Sequence, residues 1–154
     1  MPVAGNYKLA MPDGRAINDI SKKHQLNPKN TGVNKIDFIT RYNKVTGTVG
    51  RTALMRIYRY GTDKAILVEL KGIGMITIPE NCRVMTSTEE FVCAADGTLQ
   101  AANKLALFEN GALVYHPILS IHETYTLPVC YKLVTADKSP YLLDNGLIIA
   151  SDES

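Results

Sequence analysis

The sequence predicts an all-β protein, because short apolar runs and turn signals alternate along it with almost no helical periodicity. The stretch from Arg56 to Phe91 shows this most densely, since apolar runs at 65–70 and 75–78 flank a turn that contains two glycines. Similar runs recur at the spacing typical of sandwiches and barrels. Only residues 99–107 have the composition of a short helix.

Turn chemistry places the remaining elements in order. Pro12-Asp13-Gly14 predicts a tight turn, because proline fixes φ and glycine accepts a positive φ. Residues 18–23 are predicted to form one helical turn, 24–34 a flexible exposed loop, and 41–47 a turn before a long strand. The predicted strands lie at 7–10, 15–17, 36–39, 48–60, 65–70, 75–78, 83–86, 90–94, 113–115, 117–123, 129–135, 141–143 and 147–150.

A faint internal repeat accompanies these strands. Ile57 and Asn81 are matched 64 residues later by Ile121 and Asn145, with the same order of strands and turns between them. This pattern predicts two similar β subdomains related by a pseudo-two-fold axis within a single domain that spans residues 1–154.

Charge and cysteine content narrow the classes of function. The net charge of +2 comes from 17 basic and 15 acidic residues, which gives no electrostatic basis for a nucleic-acid or membrane partner. The first residues lack the features of a signal peptide, which favours a cytoplasmic or otherwise intracellular protein. Cys82, Cys93 and Cys130 are odd in number and lack metal-ligand spacing, so we expect no metal, no cofactor and a reducing compartment.

Four segments, in order along the chain, resemble the motifs of the Hint fold, which inteins, hedgehog autoprocessing domains and bacterial intein-like domains share. Residues 3–15 resemble its opening motif, and 84–91 resemble its Thr-x-x-His motif. Residues 128–133 and 145–149 resemble its two closing motifs. The resemblance covers nearly the whole chain and implies a horseshoe of short strands whose two ends meet beside Thr86.

The resemblance also implies which chemistry belongs at these positions. In splicing, a first-position Cys or Ser attacks the preceding carbonyl, the motif His donates a proton to the scissile amide, and a terminal Asn cyclises. All of these groups are needed, because none alone activates an amide sufficiently.

This chain departs from that pattern at nearly every catalytic position. Pro2 stands in place of the nucleophile, Glu89 in place of the histidine, and Ala150 and Ser151 in place of the closing His-Asn. Thr86 alone matches. The resemblance therefore implies a splicing site that does not carry out standard splicing.

Cys130 offers an alternative nucleophile. A minority class of inteins lacks the first-position residue and uses a cysteine in the penultimate motif, close to the position of Cys130. That class also relies on a Trp near the Thr-x-x-His motif, and this sequence has no Trp. Each of these candidate catalytic residues also has a purely structural interpretation. Thr86 would be a half-buried strand residue, Glu89 and Glu90 a solvated turn, and Cys130 a core residue.

Three functions remain open from the sequence. The leading one is an intein-like Hint domain that is catalytically silent, either as a scaffold or binding module or as an inactivated precursor. Its partner would be an unknown protein or flanking extein-like segments. The alternatives are a non-enzymatic all-β structural or adaptor module unrelated to inteins, and a self-cleaving domain that acts through Glu89 and Cys130.

Overall fold

The computed structural model describes residues 2–4, 37–60, 64–93, 99, 104–125, 130–143 and 145–151. The predictions for 5–36, namely the first hairpin, the helical turn at 18–23 and the loop at 24–34, lie outside these residues. The described residues form strands β1 (Pro2–Ala4), β2 (Asp37–Asn43), β3 (Thr48–Tyr60), β4 (Ala65–Leu70), β5 (Gly74–Pro79), β6 (Arg83–Met85), β7 (Phe91–Cys93), β8 (Lys104–Glu109), β9 (Ala112–Thr124), β10 (Cys130–Thr135), β11 (Tyr141–Leu142) and β12 (Ile148–Ile149).

These strands form two antiparallel sheets, which confirms the all-β prediction. The larger sheet has eight strands in the order β1-β10-β3-β2-β11-β12-β6-β7, and the smaller has four in the order β5-β4-β9-β8. Isolated bridges between Thr86 and Leu105 and between Leu107 and Leu147 connect them. Among the described residues, no helix is long and apolar enough to cross a membrane.

The predicted pseudo-two-fold duplication is visible in the strands themselves. β9 begins and ends 64 residues after β3, and each of these long strands forms a hairpin with the strand before it. The halves then exchange partners, because β3 pairs with β10 of the second half while β9 pairs with β4 of the first. The two halves meet again where β6 pairs with β12.

The predicted helix at 99–107 is wrong over its second part, because Lys104–Glu109 is a strand. Leu105, Ala106 and Leu107 are all buried. Leu105 and Leu107 pack in the main core, whereas Ala106 packs in a second cluster on the opposite face. Burial on both faces produces a continuous apolar run, and such a run does not distinguish a strand from a helix.

Several strand boundaries also differ from the prediction, and the largest differences are at β9 and β2. β9 continues through Pro117 instead of dividing there, because it pairs with β8 up to Pro117 and with β4 from Ile118 onward. The proline lies at this change of partner, where the missing N–H group disturbs the ladder least. β2 extends to Asn43, so the predicted turn at 41–47 shortens to 44–47.

Two apolar clusters hold the sheets together. The main core is built from the inward faces of both sheets and includes Leu54, Val68, Ile78 and Leu133. The second is smaller and is called here the Tyr42 cluster. It consists of Tyr42, Met85, Ala106, Leu142 and Ile148, with Phe91, Phe108 and Leu113 packed against it.

Candidate functional site

The segment that follows β6 forms a closed turn over residues 86–90. The Thr86 amide donates to the Glu90 carbonyl oxygen at 3.0 Å, and the Glu89 amide donates to the Thr86 carbonyl oxygen at 2.9 Å. Glu89 adopts a φ of +62°, in the left-handed region that non-glycine residues rarely occupy. The Ser87 amide donates to the Lys104 carbonyl oxygen at 3.4 Å and ties the turn to β8.

The hydroxyl of Thr86 is engaged within this turn. Thr86 is only 1% exposed. Its Oγ1 lies 3.0 Å from Thr88 Oγ1 and donates to the Glu90 carbonyl oxygen at 3.4 Å. These contacts satisfy a buried hydroxyl locally. Among the described residues, this hydroxyl forms its hydrogen bonds only within its own turn.

Glu89 stands at the position that matches the motif histidine, and it is exposed, as is Glu90. In its ionised form a carboxylate only accepts hydrogen bonds, whereas the step assigned to this position requires a donor. The structure therefore shows a closed turn over residues 86–90 with the Glu89 side chain exposed.

Cys130 begins β10 and lies next to the first strand of the chain. Ala4 is opposite Cys130, and Pro2 is opposite Lys132. Cys130 is 2% exposed. Burial raises the pKa of its thiol to about 11, and this favours the unreactive protonated form.

The two ends of the domain meet on β10. Pro2 pairs with this strand three residues before Thr135. Ser151 Oγ accepts from the Thr135 amide at 3.0 Å and lies 3.1 Å from Thr135 Oγ1. The amide of Ala150 donates to the Arg83 carbonyl oxygen at 3.1 Å, beside the strand that leads to Thr86. The fold thus places Pro2, Ala150 and Ser151 in one region, although they are far apart in sequence.

The other two cysteines are structural neighbours of this region. Burial raises the pKa of the Cys82 thiol to about 12. Cys93 Sγ donates to the Glu80 carbonyl oxygen at 3.2 Å. None of the three cysteines is in a disulfide. Within the described ranges, no group of three His, Cys, Asp or Glu side chains is arranged to hold a metal ion.

Tyr42 is a residue that the sequence analysis missed, because it was assigned to a turn. Its side chain is buried, yet its hydroxyl has no hydrogen-bond partner among the described residues. The ring contacts Phe108 edge to face, with 5.9 Å between ring centroids. Thr40 and Tyr42 are two residues apart, and both are buried. This spacing is typical of one face of a strand, and it indicates that β2 continues to Tyr42.

Comparisons with known proteins identify the fold. No family model and no curated protein sequence matches the chain. Solved structures do match it closely. The KlbA intein precursor from Methanococcus jannaschii superposes with a TM-score of 0.76 at 16% identity, covering 100% of this chain and 93% of that one. A DnaB intein from Synechocystis sp. PCC 6803 gives a TM-score of 0.70 at 16% identity, covering 98% and 99%.

A bacterial intein-like domain from Clostridium thermocellum is also similar, with a TM-score of 0.69 at 16% identity, covering 97% of this chain and 98% of that domain. The likeness extends over the whole domain in each case, while the sequences have diverged widely. This protein is therefore an all-β domain with the Hint fold. Its structural neighbours within that fold are inteins and an intein-like domain.

Proposed function

We propose that this chain is an intein-like Hint domain that does not splice, and that it serves as a scaffold or binding domain around the 86–90 turn. The observation that carries the proposal is the state of Cys130. This candidate nucleophile is 2% exposed, and its pKa is raised to about 11. At pH 7 a thiol of that pKa is ionised in about one molecule in ten thousand.

The remaining splicing positions support the same proposal. Pro2 has neither a thiol nor a backbone N–H group, so it cannot perform an acyl shift. Neither Ala150 nor Ser151 can form the succinimide through which a terminal Asn cleaves the chain. Thr86 and Glu89 would then be remnants of the site. They preserve the turn but provide no proton donor for a leaving amide.

One observation favours a self-cleaving domain as a second candidate. Cys130 is directly opposite Ala4 in the strand ladder, so its thiol is one strand away from the start of the domain. If local opening exposed this thiol, its sulfur could form a thioester with a backbone carbonyl near β1 while the C–N bond of that peptide breaks. Glu89 would take the thiol proton as a base and pass it to the leaving amine. Such a reaction would depend wholly on Cys130.

One experiment separates these candidates. A small folded protein is fused to each end of the chain, and the fusion is incubated with and without thiol and followed by intact-mass spectrometry. We expect the mass to remain unchanged under both conditions, as for the matched Cys130→Ala fusion. Ligated or released flanks would contradict the proposal. Loss of those products in Cys130→Ala would then establish the self-cleaving alternative.

A further inference from the structure

Two exposed apolar side chains occupy equivalent positions in the two halves of the domain. Met55 lies in β3 and Leu119 lies in β9, 64 residues later, which is the period of the duplication. Each is the extra residue of a β-bulge, because the ladder of β3 with β10 omits Met55 and the ladder of β9 with β4 omits Leu119. Met55 is 46% exposed and Leu119 is 56% exposed. Bulges redirect side chains, so both halves turn an apolar residue outward at the same point.

Met55 belongs to an exposed apolar surface of β2 and β3, called here the β3 patch, which consists of Phe38, Val49, Arg51 and Met55. Phe38 lies opposite residue 53, so alternate residues 49, 51, 53 and 55 of β3 share its face of the sheet. Phe38, Val49 and Met55 are all exposed. The Arg51 guanidinium lies over the Phe38 ring, 4.5 Å from its centroid. The patch thus carries one positive charge among three apolar side chains.

Leu119 belongs to a second surface, called here the β9 patch, on the outer face of the smaller sheet. Glu69 lies opposite Met75 on one side and opposite Ser120, the neighbour of Leu119, on the other. Leu67 lies two residues before Glu69 and therefore on the same face. Met75 is exposed, and Leu67 and Glu69 are half-buried. The β9 patch, made of Leu67, Glu69, Met75 and Leu119, thus carries one negative charge among three apolar side chains.

Neither charge is neutralised within the part of the chain that the structure describes. The ion pairs there are formed by Arg41, Lys64 and His116 with their acidic partners, and they include neither Arg51 nor Glu69. The two patches are therefore alike in apolar character and opposite in charge. Contiguous apolar surface of this kind, unlike scattered apolar residues, is typical of an interaction site.

We propose that this domain associates with a second copy of itself, through the β3 patch of one copy and the β9 patch of the other, with Arg51 facing Glu69. Apolar burial supplies the attraction, and the opposite charges set the orientation. Two β3 patches would bring Arg51 against Arg51, and two β9 patches would bring Glu69 against Glu69, so only unlike patches fit. The contact then occurs twice in a two-fold dimer or joins copies head to tail.

Self-association goes beyond the proposed function and does not depend on it, because neither patch contains a residue of the 86–90 turn. It is measured by sedimentation velocity of the full chain over a concentration series. A contact of so few side chains should be weak, so the series extends to roughly 0.1–1 mM. We expect the average sedimentation coefficient to rise with concentration.

Two charge reversals identify the contact. Arg51→Glu and Glu69→Arg each bring like charges together in every contact between identical copies, and each alone should weaken association by at least about tenfold. An equimolar mixture of the two variants should regain it, because every contact between unlike copies again pairs opposite charges. Lys44→Glu and Glu90→Arg are the matched controls, since they reverse exposed charges outside the patches and should leave association unchanged.

The amide NMR spectrum of each variant establishes that it is folded. If a reversal prevents folding, Arg51→Gln and Leu119→Ser test the same contact by removing one charge and one apolar side chain, and each should weaken association by about threefold. A wild-type chain that stays monomeric over the whole series would overturn the inference. So would a mixture that associates no better than each reversed variant alone, or equal losses in the controls.

Failure of this inference is distinguishable from failure of the proposed function. If the chain stays monomeric and the flanked fusion stays intact, only the self-association is wrong. If the fusion is processed while the charge reversals behave as expected, only the silent assignment is wrong.

Discussion

At the scale of single residues, Asp137 shows how one side chain can hold a loop against two strands. Its carboxylate accepts hydrogen bonds from Thr52 Oγ1 at 2.8 Å and from the Ser139 amide at 3.1 Å, and also from the Ser139 hydroxyl. It forms an ion pair with Arg41 at 2.9 Å. These contacts join the loop after β10 to β2 and β3. Burial alone would raise the pKa of this carboxyl, but the hydrogen bonds outweigh it and lower the pKa well below its usual value.

The lowered pKa predicts a pH-dependent contribution to stability. The folded pKa lies below the unfolded value of about 3.9, so the contribution is complete above pH ~4 and is lost as the pH falls below that value. Asp137→Asn should lower the free energy of unfolding at pH 7 by about 1 kcal/mol, a small effect because the ion pair is partly solvated. The difference from wild type should shrink at pH 3. Urea unfolding at both pH values measures it, with Glu90→Gln as the control, and equal differences at pH 7 and pH 3 would contradict it.

At the scale of elements, the tight approach of the segment after β11 to β8 is a second determinant of the fold. Gly146 has a φ of +89°, and its carbonyl oxygen accepts from the Phe108 amide at 2.9 Å. A Cβ atom at this position would lie 2.6 Å from the Phe108 carbonyl oxygen. Only glycine combines this backbone conformation with so close a contact.

Gly146→Ala should therefore destabilise the protein by at least ~2 kcal/mol, from the left-handed conformation and the clash together, and should lower the melting temperature by roughly 5–10 °C. Gly47→Ala is the matched control, because Gly47 also has a positive φ, of +69°, but has open space around its Cβ position. It should cost only about 1 kcal/mol. Calorimetry compares the two, and equal losses would show that the Phe108 contact has no effect of its own.

At the scale of the whole molecule, the exchange of strands between the two halves makes them interdependent. Among the described residues, five strand pairs cross from one half to the other: β1 with β10, β3 with β10, β2 with β11, β4 with β9, and β6 with β12. Without these partners, β3 and β4 would each present an unpaired edge and an uncovered apolar face.

This interdependence predicts the behaviour of fragments. If the chain is divided between Asp96 and Gly97, which lie between β7 and β8 in sequence, neither fragment should fold alone. An equimolar mixture should regain the dispersed amide NMR spectrum of the intact chain. Either fragment giving a dispersed spectrum by itself would contradict the prediction.

The sequence by itself determined the local features of this protein. Alternating apolar runs and turn residues predicted β3 and β4 with their observed bounds, and the 64-residue repeat predicted the duplication. The strand bounds depend on interactions between residues that are near in sequence. The duplication depends on a pattern that is repeated along the chain. The Hint resemblance pointed to residues 84–91, where the structure has a turn at 86–90, and the departures at Pro2 and Glu89 stay predictions.

Only the tertiary structure decided which distant groups meet. The run at 104–107 is a strand because it is buried on two faces, by two clusters built largely from other parts of the chain. The contact of Ser151 with Thr135, and that of the Tyr42 ring with Phe108, likewise depend on strands that are adjacent only after folding. Which side chains are buried and which groups meet are decided by the packed sheets. The same sequence pattern is compatible with several environments until the sheets are assembled.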